Sequence, residues 1–303
     1  RMSNWLCERL GIKYPIVLGG LSRIGTAPLI AGVGNAGGVG MLGAGRWTGE
    51  KLLKQINQVR SLSDKPFGVN VPIYADHSED LVDVVIREKI PVVTTSAGNP
   101  RRYTDTLKEH GVCVIHVVST VNYAVTAAQA GVDAIVAEGS ESGGMTGLEE
   151  ISTMVLIPQV VDSVNCPVLA AGGIGDGRGL AAAFALGAIG VQMGTAFLAA
   201  EECEIAPVFK EMLVMAKETD TYLMRRDRSS SRTFKPQFHE SALKQLADIS
   251  SDSALDDIDT SLTGAGQISG LIQKVRPANE IVADIVKQAE AVLPHITENI
   301  NSL

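Results

Sequence analysis

The sequence predicts an α/β protein: a (β/α)8 TIM barrel followed by a small, mainly helical C-terminal extension. Three observations carry that expectation. Eight short apolar runs rich in β-branched residues recur, at 16–19, 39–44, 67–71, 92–96, 112–118, 134–139, 168–173 and 191–195. Their starts lie about 20 to 35 residues apart, the length of a βα unit. Several runs end on glycine or a small polar residue, as strands that feed the mouth of a parallel barrel do.

The segments between the runs fit. Residues 78–89 and 100–110 carry apolar side chains on one face, and 120–130 is small and apolar enough to pack closely on a barrel. A doubly wound open sheet is the competitor, but it has fewer strands and keeps its glycine fingerprint after the first. The G-x-G-x-x-G at 32–37 follows a helical segment and precedes a strand, the reverse of the dinucleotide-binding order, so it reads as a helix end and a tight turn. The barrel is expected over 1–200. Residues 201–303 form the extension, with a helix at 197–217, an exposed acidic and Ser-rich connection at 248–259, and helices at 264–275 and 278–293 separated by Pro277. The extension is too short and polar for its own core and is expected to lie on the barrel as a lid or flank.

Composition narrows the function. With 303 residues, 45% hydrophobic, the chain can bury one large core. Its net charge of −8 and lack of a basic stripe argue against nucleic acid. Cys7, Cys113, Cys166 and Cys203 stand singly, without metal-ligand spacing, which leads to the expectation of a reduced, cytoplasmic protein with no zinc site. Residues 179–200 contain no charge, but Gln192, Thr195 and glycines at 187, 190 and 194 interrupt them, so buried core is expected rather than a membrane span.

The stretch that organises the chain is 168–197. There a strand, a glycine loop (Gly172, Gly173, Gly175, Gly177), a helix over 178–186 and a second strand ending at Gly194 and Thr195 follow one another. Glycine admits a phosphate without a Cβ in the way, and a helix N-terminus favours an anion. These turns follow the seventh and eighth expected strands, where such barrels commonly bind phosphate. The other strand ends supply Gly19, Gly20, Asn70, Ser96, His116 and Glu138. That set suits a flat, hydrogen-bonding cofactor better than a metal.

Taken in order, LGG (18–20), GVN (68–70), TTSAGNP (94–100), AEGSESGG (137–144), AAGGIGDGRG (170–179), MGTAF (193–197) and GQISGLI (266–272) resemble the nitronate monooxygenase (2-nitropropane dioxygenase) family, which includes FMN-dependent enoyl-[acyl-carrier-protein] reductases. The resemblance implies non-covalent FMN. Gly19, Gly20 and Leu21 would face the flavin ring, with Asn70 and Ser96 along its polar edge and ribityl chain. Gly143 and Gly144 would close over the site, Gly172, Gly173, Gly194 and Thr195 would hold the phosphate, and Glu138 would orient the loop or be a satisfied buried carboxylate. Family members carry histidine after the paired glycines; this chain has Met145. A thioether cannot take a proton, so residue 145 is no base, while a nitronate, already deprotonated, needs none.

The resemblance implies oxidation of nitronates with molecular oxygen. The alternatives are NAD(P)H-dependent reduction of an enoyl thioester or quinone, with acyl carrier protein or coenzyme A as partner, and a catalytically impaired flavin-binding protein. A barrel binding a sugar phosphate is the non-flavin reading. His239, or Tyr74 beside Asp76 and His77, could substitute for the missing histidine, each competing with a surface role. Arg225, Arg226, Arg228, Arg232 and Lys235 read either as a receptor for NAD(P)H or carrier phosphates or as a solvated loop. A homodimer acting on a small molecule, without a membrane partner, completes the expectation.

Overall fold

The computed structural model describes residues 4–225, 227, 229–249 and 264–302. Arg226, Arg228 and most of the expected acidic connection, residues 250–259, lie outside the described residues.

The strands are β1 (Ile16–Leu18), β2 (Val39–Gly43), β3 (Gly68–Pro72), β4 (Val92–Ser96), β5 (Cys113–Val118), β6 (Ala134–Glu138), a short β7 (Gly144–Thr146), β8 (Val168–Ala171) and β9 (Gly190–Met193). All but β7 form a closed parallel barrel, which β1 seals by pairing with β9, Ile16 opposite Val191 and Leu18 opposite Met193. Helix α1 (Trp5–Leu10) precedes β1, and α2 (Ala27–Asn35), α3 (Gly49–Leu62), α4 (Ser78–Arg87), α5 (Thr104–Glu109), α6 (Val121–Gln129), α7 (Thr153–Ser163) and α8 (Gly177–Ala185) follow the first seven barrel strands. Local chemistry sets several boundaries. Asn4 caps α1 by accepting from Leu6 N and Cys7 N, and Gly11 ends it at φ 67°.

Strand alternation divides the core in two. Val17, Val39, Met41, Val92, Cys113, Ile115, Ala134, Val136, Leu169 and Ala171 fill the barrel, stoppered by Leu6, Leu10 and Ile12. Residues of opposite parity, among them Ile16, Leu18, Val69, Val93, Val114, Ile135 and Val191, pack outward against the helices. Parity therefore tells which strand-end side chains enter the mouth.

Beyond β9 the chain departs from expectation. The helix expected over 197–217 is two, α9 (Thr195–Leu198) and α10 (Pro207–Met215), because Pro207 is a poor interior residue but a good first one. The expected loop around Ser229–Ser231 is a hairpin of β10 (Thr221–Arg225) and β11 (Ser230–Phe234), whose second strand pairs antiparallel with β7. Helix α11 (Pro236–Ile249) then packs on α10. The helix expected over 264–275 is a single 3-10 turn, Gln267–Leu271, in a stretch whose Gly264, Gly266 and Gly270 weaken an α-helix. Helix α12 (Ala278–Asn301) is longer than expected and runs through Pro294. It packs against α8 and α2, completing the helical ring, and Glu202 accepts its first N–H at 2.9 Å. Among the described residues no helix is long and apolar enough to cross a membrane.

Candidate active site

The C-terminal strand ends converge on a mouth built largely from glycine. Gly19 N donates to Met193 O at 2.9 Å, and a Cβ on Gly194 would lie 3.2 Å from Leu21 Cδ2, so the first and last strand ends meet. A Cβ on Gly20 would fall 2.2 Å from Asn70 Cβ, far inside van der Waals contact. Backbone at Gly20 thus rides directly on the Asn70 amide. Asn70 shares inward parity with Gly68, and its Nδ2 donates to buried Thr94 Oγ1 at 3.0 Å. Ser96 ends β4 with the same inward parity as Val92 and Thr94, and its carbonyl accepts from Ile73 N.

Gln192, which in the sequence only interrupts an uncharged stretch, also faces the mouth. It has inward parity between Val191 and Met193, and a Cβ on Gly19 would touch its Cδ at 3.0 Å. Its Oε1 is buried without a hydrogen-bond partner among the described residues. A buried amide oxygen left unpaired is costly unless a ligand completes it. The sequence signal was present: a lone amide at an inward position of an otherwise apolar strand.

Register places the two glycine turns side by side, Ala171 opposite Gln192, so Gly172–Gly173 neighbours Met193–Gly194. Gly172 and Gly173 have φ of 86° and 68°, and a Cβ on Gly172 would meet Gly139 O at 2.6 Å. One expected element does not take part. The N-terminus of α8 is already capped by Asp176, which accepts from Arg178 N at 3.0 Å and Gly179 N at 3.2 Å, and Gly177 N donates to Gln288 Oε1. A carboxylate there repels a second anion.

The loop after β6 forms the far wall. Glu138 has the inward parity of Ala134 and Val136, and its Oε1 accepts from Ser142 Oγ at 2.6 Å. Burial pushes the Glu138 carboxyl up to about 7, against the lowering effect of Ser142. Glu141 is tied elsewhere, accepting from Thr153 N and Oγ1 at 3.0 Å. A Cβ on Gly143 would lie 2.5 Å from Gly266 N, so the 264–266 segment seats directly on this loop. Gly266 N also donates to Thr195 Oγ1 at 3.0 Å, and Gln267 N to Glu141 O at 3.0 Å. The extension therefore finishes the mouth.

Gly144 and Met145 lie in β7, Gly144 at φ 76°. Met145 pairs with Ser231, which pairs with Met224, a cross-strand row on the less buried sheet face; Met145 is 49% exposed. The other face carries Arg232, buried, with Nε donating to Ser140 O at 2.8 Å. Arg225, in contrast, is exposed and pairs with Glu150, so Arg225 and Arg232 serve different contacts.

His116 is a correction. It shares the outward parity of Val114 and Val118, and its Nδ1 lies 2.8 Å from Thr95 Oγ1 beneath the helices. Burial holds its imidazole down to about 4, neutral and away from the mouth. His239 lies in α11, with Nε2 buried and unpaired among the described residues. Tyr74 is 59% exposed on the loop after β3.

A family model described as nitronate monooxygenase matches residues 3–82 and 72–288. The chain belongs to the nitronate monooxygenase family. It is accordingly an oxidoreductase of a flavin-dependent family whose members act on small molecules. A protein of Staphylococcus aureus strain JH9 described as a probable nitronate monooxygenase is 31% identical over 350 residues, covering 96% of this chain and 99% of that protein. FabK from Thermotoga maritima superposes with a TM-score of 0.89 at 39% identity, covering 99% and 100% of the two chains. A nitroalkane oxidase from Streptomyces ansochromogenes gives 0.84 at 26%, covering 96% and 99%.

Proposed function

We propose that this family member binds FMN and oxidises alkyl nitronates with molecular oxygen. The observation that carries the flavin assignment is the unpaired Gln192 Oε1 in a mouth where Gly20, Gly172 and Gly143 leave no room for a Cβ. Such a site fits a flat, hydrogen-bonding ligand with an anionic tail. Gly19, Gly20, Leu21, Asn70, Ser96 and Gln192 would hold the ring and ribityl chain, and Gly172, Gly173, Gly194 and Thr195 the phosphate. Bound FMN supplies a two-electron acceptor that molecular oxygen reoxidises. The protein orients Asn70 through Thr94 and covers the mouth with the 264–266 segment. Met145 supports a substrate that arrives as the anion, because a thioether offers no base.

A second reading, reduction of an enoyl thioester or quinone by NAD(P)H, is favoured by the higher identity to FabK, 39% against 26% for the nitroalkane oxidase. A carrier-linked acyl group and a homodimer belong to that reading. Flavin absorbance of the purified protein, then turnover of propionate-type nitronates with oxygen against enoyl thioester with NADH or NADPH, decides between them. Nitronate oxidation with oxygen consumption is the expected result; NAD(P)H-dependent enoyl reduction alone would replace it, and a protein that takes up no flavin would refute both.

A further inference from the structure

Among the described residues, Glu138 is the one ionisable side chain that the parity of the barrel strands turns into the mouth: the other inward strand-end positions are Gly19, Gly43, Pro72, Ser96, Val117, Ala171 and Gln192, with Asn70 and Thr94 one inward step below. It ends β6, opposite Ala171 of β8. It is only partly exposed, and Ser142 occupies one of its oxygens at 2.6 Å. The charged groups around it are engaged: Glu141 with Thr153, Arg232 with Ser140 O, Asp176 with Arg178. On the neighbouring strands the inward residue of β5 is Val117, the residue opposite on β8 is Ala171 with Gly172 and Gly173 after it, and the covering segment seated on Gly143 and Gly144 is Gly264, Ala265 and Gly266, all uncharged. Seven positions further on stands Met145, whose thioether offers no base.

Resting on the proposed nitronate chemistry, we propose that Glu138 is the base of this site, extending its substrates from nitronates to neutral nitroalkanes. The carboxylate takes the proton from the carbon bearing the nitro group. That C–H bond breaks, its electron pair moves into the nitro group, and the nitronate so formed is the species oxidised. The proton rests on Glu138 until solvent takes it. A carboxyl held near 7 is matched to this duty, since about half of it is ionised at neutral pH and the ionised form is a stronger base than an ordinary glutamate. Ser142 lowers that value by donating to the charged form.

The test follows proton transfer apart from oxidation. Nitroethane is incubated anaerobically with the FMN-loaded protein in deuterium oxide, and exchange of its α-hydrogens is followed by proton NMR across pH, beside titration of the Glu138 carboxyl by carbon NMR. Exchange should rise with pH to a plateau with a midpoint near 7. Glu138→Gln should lower the plateau about a hundredfold or more, and Ser142→Ala should move the midpoint upward. Exchange by E138Q at the wild-type rate overturns the proposal. Should E138Q not fold, an unmoved midpoint in S142A overturns it instead. Wild-type protein that oxidises nitronates without exchanging nitroethane overturns this inference alone; protein that does neither overturns the proposed function as well.

Discussion

Replacing Gly20 by alanine tests the packing on which the site depends. The new Cβ would sit 2.2 Å from Asn70 Cβ and 2.6 Å from its Cγ, so Asn70 must move. Its amide is held by the 3.0 Å bond to Thr94 Oγ1, and moving it forfeits about 1 kcal/mol. Overpacking adds roughly 1–3 kcal/mol. If about 2 kcal/mol of that total falls on the bound state, FMN affinity drops about 30-fold. Fluorescence titration of apoprotein with FMN measures the affinity, and thermal unfolding of the apoprotein measures the remainder, expected as a fall of several degrees. An alanine variant with unchanged Tm and FMN affinity would refute the reasoning, because it would mean that Gly20 does not ride on Asn70.

Three further outcomes follow. Gly143→Ala, whose Cβ would lie 2.5 Å from Gly266 N, should lift the covering segment and weaken the Gly266–Thr195 bond. Faster amide exchange at Gly266 and weaker FMN binding would report it. Met145→His should add a base at an exposed position of β7 and raise nitroalkane turnover above the imidazole pKa, measured by oxygen uptake across pH. Glu138 should also mark the pH dependence of stability. Its folded pKa of about 7 lies above the ordinary 4.5, so its contribution is full below about 4.5 and is lost as pH rises through 7. That corresponds to roughly 3 kcal/mol across the window. Urea unfolding at acid and neutral pH should show E138Q gaining on the wild type as pH rises; a difference that does not change with pH would contradict the raised pKa.

The barrel and its glycine turns were legible in the sequence because both depend on local chemistry. A short continuous apolar run rich in β-branched residues makes a strand buried on both faces, and glycine is needed where backbone packs too closely for a Cβ, against the Asn70 side chain at Gly20 and against the Gly139 backbone at Gly172. The family motifs likewise survive as contiguous words. Pairings between distant segments were not legible. Nothing local says that Ser231 pairs with Met145 or that Gly266 seats on Gly143, and the expected anion site at the N-terminus of α8 is filled by the Asp176 carboxylate. His116 and Glu138 make the contrast plainest. Both are polar residues near a strand end, but alternation in the closed barrel turns His116 toward Thr95 and the helices and Glu138 into the mouth. Residue type set what each side chain can do, and the tertiary fold, through parity and burial, decided which of them faces the mouth.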